Sequence, residues 1–121
     1  MTGGIEVMGN NIFHRRGDTA KLKVNLSMGD APYAFKDGDS GLFTVKKRVT
    51  DDDIVLQKEM ADGAFLLLPD DTKDLTPGSY RYDMQVTLSS GEVYTVAMGK
   101  YKLLPDITTR KEEENEEVEQ Q

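Results

Sequence analysis

Two stretches of strict apolar/polar alternation constrain this chain more than any other feature. In Thr19-Ala20-Lys21-Leu22-Lys23-Val24-Asn25-Leu26, the residues Ala20, Leu22, Val24 and Leu26 fall on one side of an extended backbone, with Thr19, Lys21, Lys23 and Asn25 on the other. Tyr80-Arg81-Tyr82-Asp83-Met84-Gln85-Val86-Thr87-Leu88 repeats the pattern. Wound as a helix, either segment would scatter its apolar residues around the axis. Both are therefore predicted as strands with one buried and one wet face.

Shorter runs fill the intervals. Residues 42–49 and 54–60 read as strands around the turn-forming Asp51-Asp52-Asp53. Phe65-Leu66-Leu67-Leu68, closed by Pro69, is a continuous apolar run that predicts a strand buried on both faces. Residues 93–98 and 101–104 flank Gly99, which predicts a bulge in one long final strand. Residues 5–8 and 11–14 predict a broken first strand. Ser89-Ser90-Gly91 reads as a tight hairpin and Thr76-Pro77-Gly78 as a type II turn, with one helical turn expected between Asp70 and Leu75. About seven strands spaced by turns, with no long amphipathic helix, predict an all-β chain: a single immunoglobulin-like antiparallel β-sandwich. The Cys…Trp…Cys marks of antibody domains are absent, so the prediction concerns architecture. Tyr80 or Tyr82, at the start of the penultimate strand, is expected to form a tyrosine corner, its hydroxyl capping a backbone group.

Charge divides the chain. It carries −7 over 121 residues. Residues 110–121 hold six glutamates against Arg110 and Lys111, leaving −4 there and −3 in the rest. Val118 is the only apolar residue in that segment, so 109–121 is expected to be a solvated acidic tail, helical or disordered. Residues 5–108 make the compact domain and 1–4 a loose N-terminus. The negative sign opposes attraction to nucleic acid or an anionic membrane. No stretch approaches the length of a membrane span, and the first residues lack the basic and apolar regions of a secretory signal.

The chemical inventory is thin. With no cysteine there is no disulfide, thiolate or Cys-based metal chemistry, and with one histidine there is no paired-imidazole site. His14 reads as an ordinary strand histidine, because no nucleophile-elbow pattern accompanies it, Asp18 or the serines. Arg16-Gly17-Asp18 spells the integrin-binding tripeptide but stands where Gly-Asp-Thr makes a turn into the next strand. Asp37-Gly38-Asp39-Ser40-Gly41 opens like a calcium loop, yet Gly41, Leu42 and Arg48 occupy positions where the pattern needs an oxygen ligand, a glycine and a glutamate. Turn chemistry explains it better, even counting help for a cation from Asp51 to Asp53. No catalytic, cofactor or metal residue is assigned, no cofactor is expected, and the chain is expected not to be an enzyme.

Certain successions carry a resemblance. They are Arg16-Gly17-Asp18-Thr19 leading into an alternating strand, Ala31-Pro32-Tyr33-Ala34-Phe35, and Asp37-Gly38-Asp39 before Phe43-Thr44-Val45-Lys46-Lys47. Further on come Asp71-Thr72, Leu75-Thr76-Pro77-Gly78-Ser79-Tyr80-Arg81-Tyr82-Asp83 and Gly91-Glu92-Val93-Tyr94-Thr95-Val96. Over roughly residues 12–108 these strand and turn signals resemble small β-sandwich proteins of tailed phages and prophages of Gram-positive bacteria, similar to the N-terminal domain of the phage baseplate upper protein family. The chain departs from that family in having one domain and an acidic tail, without its long helical and receptor-binding-protein-anchoring parts. The resemblance implies a non-enzymatic virion structural module of tail, baseplate or neck. Its partners would be other phage structural proteins, with self-association left open. The first strand (5–14) and the last (93–104) are expected to be free edges able to recruit another chain. The alternative is a carbohydrate-binding or host-adhesion module, for which Tyr33, Tyr94 and Tyr101 would have to form exposed platforms.

Overall fold

The computed structural model describes residues 5–8, 10–28 and 30–107; the predicted loose N-terminus (1–4) and acidic tail (109–121) lie outside the described residues. In chain order the strands are β1 (Ile5–Met8), β2 (Asn11–Arg15), β3 (Ala20–Lys23), β4 (Ser27–Met28), β5 (Ala31–Pro32), β6 (Ser40–Lys46), β7 (Leu56–Glu59) and β8 (Ala64–Leu67). One helical turn, α1 (Pro69–Thr72), precedes β9 (Gly78–Thr87) and β10 (Val93–Leu104). Six strands form one sheet in the order β1-β2-β10-β9-β6-β7, and β3-β8 form a two-stranded layer, with β4-β5 as a separate small hairpin.

The alternation does what it predicts. Ala20 and Leu22 of β3, with Phe65 and Leu67 of β8, turn inward onto Phe43, Val45, Tyr82, Met84 and Tyr101 of the larger sheet. Phe43 is the hub, its ring centroid lying 5.8 Å from Phe65 across the layers, 5.7 Å from Tyr82 and 6.0 Å from Tyr101. The result is an all-β, immunoglobulin-like sandwich. Both expected local devices are present. Tyr80 donates its hydroxyl to the Thr76 carbonyl, four residues upstream, making the tyrosine corner. The 89–91 hairpin closes through Gly91 N–H to Leu88 O at 2.8 Å, with Gly91 in the left-handed region at φ +96°.

Several expectations need correction, each for a physical reason. The sheet is not purely antiparallel: β2 folds back on β1 and then runs parallel to β10. This places β10 between β2 and β9, so the last strand is interior, and the edges of the large sheet are β1 and β7. The 65–68 run is not buried on both faces, because no described residue covers the outer side of the two-stranded layer; Leu66 is 48% and Leu68 45% exposed. The first of the two middle strands ends at Lys46, where the Arg48 N–H reaches the Asp51 carboxylate at 3.2 Å and turns the chain. Gly78 is extended at the start of β9 (φ +159°) and does not sit in a type II turn.

The bulge lies between Thr95 and Ala97, and Gly99 pairs in register with Tyr82. Gly99 serves close approach instead: a Cβ there would collide with the carbonyl oxygen of Asn10 and come within 3.0 Å of its carbon. The same carbonyl accepts the Tyr82 hydroxyl at 2.5 Å, so one backbone group is held from below and requires a bare residue beside it.

Candidate functional site

His14 lies on the inner face of β2 and is wholly buried. Its Nε2 is 2.9 Å from the carbonyl oxygen of Asp18, which can only accept, so Nε2 carries the proton. Nδ1 is then the acceptor for the Tyr101 hydroxyl at 2.6 Å. Burial pushes the imidazole below its ordinary pKa, against the opposing pull of the Asp18 carbonyl and carboxylate. Burial, with the Asp71 charge and Tyr80 adding to it, raises the Tyr101 phenol. The pair ties β2 to β10, the last strand, and both side chains are buried.

The Arg16-Gly17-Asp18 turn packs just beyond. The Arg16 N–H bonds Leu104 O at 2.8 Å, and its guanidinium pairs with Asp106 at 2.7 Å and donates to Leu75 O at 3.2 Å. The hydrogen bonds from Arg16 hold the Asp106 carboxyl below the usual carboxylate range. Gly17 N–H donates to the buried Thr72 hydroxyl at 2.8 Å, and Asp18 N–H closes the turn on Arg15 O at 3.2 Å. The cation of the tripeptide is thus committed to the strand exit after β10. Its work here is to tie β2, the segment after α1 and the exit of β10 together.

The 37–41 segment is likewise a clasp. One oxygen of Asp39 accepts Ser89 N–H at 2.8 Å; the other accepts Lys36 N–H at 3.0 Å and the Tyr33 hydroxyl at 2.8 Å. Lost hydration pushes this carboxyl upward, but the three donors outweigh it and its pKa is lowered. Both oxygens are engaged, one within the loop and one by the hairpin after β9, and among the described residues no three His, Asp or Glu side chains converge as metal ligands. A recess of about 610 Å³ opens beside the clasp, between Lys23, Tyr33, Phe35, Met60 and Asp62.

The three tyrosines of the glycan alternative separate. Tyr101 is wholly buried, and Tyr33 packs edge-on against Phe35 at 78° with its hydroxyl on Asp39. Tyr94 is left alone at 37% exposure. The platform that the alternative required is not assembled from them. Asp39 and Asp106, both lowered, show the opposite of the raised pKa that a carboxylic general acid needs. Among the described residues no helix is long and apolar enough to cross a membrane.

What remains exposed is sheet. The two-stranded β3-β8 layer has no neighbouring strand on either side among the described residues. Lys21 and Lys23 mark its β3 edge, and Leu66 projects from its outer face opposite Lys21. The arrangement is suited to receiving another polypeptide, by strand addition or by covering the leucines. Sequence reasoning missed this layer's exposure because a four-residue apolar run looks the same whether one or both of its faces are covered. No protein-family model matches the chain, and no curated protein matches it.

Proposed function

We propose that the chain is a non-enzymatic structural module of a phage particle, associated with the tail, baseplate or neck and acting through protein-protein contacts. The observation that carries this reading is the narrow second layer: two strands without neighbours at their edges among the described residues, with Leu66 exposed on its outer face and Leu68 exposed just after it. The interior supports it as well, since the one imidazole and the most buried phenol are spent on holding strands together. The resemblance in strand and turn signals supplies the virion setting, and other phage structural proteins, or further copies of this chain, are the partners. Repetition in a particle lets each copy bind with modest affinity.

The test is the protein content of purified particles. Mass spectrometry is expected to find the chain in a fixed ratio to a tail or baseplate protein. The Leu66→Glu variant, folded because the site is exposed, is expected to be left out of particles. Particles that lack the native chain altogether contradict the proposal.

A further inference from the structure

The ladder between β3 and β8 shows which backbone groups of β3 are left over. Val24 N–H bonds Gly63 O at 2.9 Å, one step beyond the Lys23–Ala64 pair. Bonded and non-bonded pairs alternate in an antiparallel ladder, so Leu22–Phe65 and Ala20–Leu67 carry the bonds, and the N–H and C=O groups of Lys21 and Lys23 point away from β8. On that side β3 has no neighbouring strand, and among the described residues no strand or turn hydrogen bond reaches these groups. The other edge of the layer is partly occupied, because Ala64 exchanges backbone hydrogen bonds with Ala61 at 2.8 and 3.1 Å. The Lys21 and Lys23 side chains stand exposed on the outer face, and among the described residues neither is in an ion pair.

We propose that this edge takes an extended strand from a partner protein, a strand in which acidic and apolar side chains alternate; the inference rests on reading the β3-β8 layer as the docking surface and names what docks there. The free groups of Lys21 and Lys23 specify the form of the occupant, since donors and acceptors two residues apart along a strand are matched by another extended backbone. A residue of the added strand that faces Lys21 or Lys23 exchanges both backbone bonds with it and shares its outer face. Its α-carbon lies roughly 5.5 Å away, so a carboxylate there makes a cross-strand pair with the lysine. The residues between fall on the inner face beside Ala20, Leu22 and Val24, all buried, where apolar side chains belong. A second copy pairing β3 with β3 is disfavoured, because it brings the lysines of both chains together on one face. The repulsion that rejects a like edge selects an acidic one.

The test uses the isotopically labelled full chain and a short capped peptide alternating glutamate with valine. In the free chain the amides of Leu22 and Val24 are expected to be protected from hydrogen exchange and those of Lys21 and Lys23 to exchange freely. With the peptide at millimolar concentration, the Lys21 and Lys23 amides are expected to shift and their exchange to slow severalfold, while β9 keeps its signals. A lysine-for-glutamate peptide is expected to leave the native chain unchanged and to bind the double variant Lys21→Glu, Lys23→Glu, whose substituted sites are exposed. An acidic peptide N-methylated at its glutamates keeps the charges, loses the donors and is expected to be inert. Protected Lys21 and Lys23 amides in the free chain, no response to the acidic peptide, or an equal response to the lysine or N-methylated peptide overturns the proposal. Slowing that appears on concentrating the chain alone assigns the edge to a second copy and overturns it as well. None of these outcomes touches the virion reading, which fails if particles lack the chain; particles in which Leu66 is covered but nothing pairs with β3 uphold that reading and defeat this one.

Discussion

Removing one oxygen from the core tests whether the His14–Tyr101 pair is a structural tie. In Tyr101→Phe the ring stays in its site against Phe43, but the hydroxyl that donates to His14 Nδ1 at 2.6 Å is gone. His14 cannot turn to a new partner without giving up the Asp18 carbonyl, and neither residue is accessible to water. A buried acceptor left without its donor costs about 1–3 kcal/mol, so the expected loss is about 2 kcal/mol. With an unfolding entropy of about 2.1 cal/mol/K for each of the roughly 100 residues of the sandwich, that lowers Tm by about 9 °C. Urea unfolding is the assay, read as a lower midpoint at unchanged slope, with calorimetry for Tm. Tyr94→Phe, at the exposed end of β10, is the control and is expected to leave both unchanged. A loss under about 0.5 kcal/mol in Tyr101→Phe refutes the reasoning, because it means Nδ1 has a partner other than Tyr101.

Three further outcomes follow from the same geometry. His14 in the folded chain resists protonation that the unfolded chain accepts near 6.5; stability is therefore full above that pH and falls as pH drops below it. The urea midpoint is expected to fall between pH 7.5 and 5, before the lowered carboxylates Asp39 and Asp106 begin to contribute, and a flat midpoint across that window contradicts the burial argument. Gly99→Ala drives a Cβ into the Asn10 carbonyl and is expected to cost about 1–3 kcal/mol in unfolding experiments, whereas an unchanged midpoint removes the close-approach explanation. Asp39→Asn weakens the acceptors for the Lys36 and Ser89 amides, which are expected to exchange faster with deuterium while those of β9 do not; equal protection in the variant means the clasp is held by something else.

The features legible in the sequence were those with a local cause. Period-two alternation identified β3 and β9, Gly91 marked the hairpin, and a tyrosine at the head of the penultimate strand identified the corner that Tyr80 makes. The missed features depend on which strands become neighbours. Gly99 looks like a bulge until Asn10 is beside it, and Leu66 looks buried until the second layer proves to be two strands wide. Lys21 and Lys23 are ordinary wet-face positions of an alternating strand, and only the lack of a neighbour beside β3 among the described residues makes them an edge. Arg16 reads as part of a recognition tripeptide because its partner, Asp106, lies ninety positions away.

Electron cryomicroscopy of intact particles bears most directly on the functional claim. The account predicts density for the sandwich at the tail, baseplate or neck, with the β3-β8 layer and Leu66 covered by a neighbouring protein. Particles complete without this density, or density in which that layer faces open solvent while the domain is held elsewhere, contradict it.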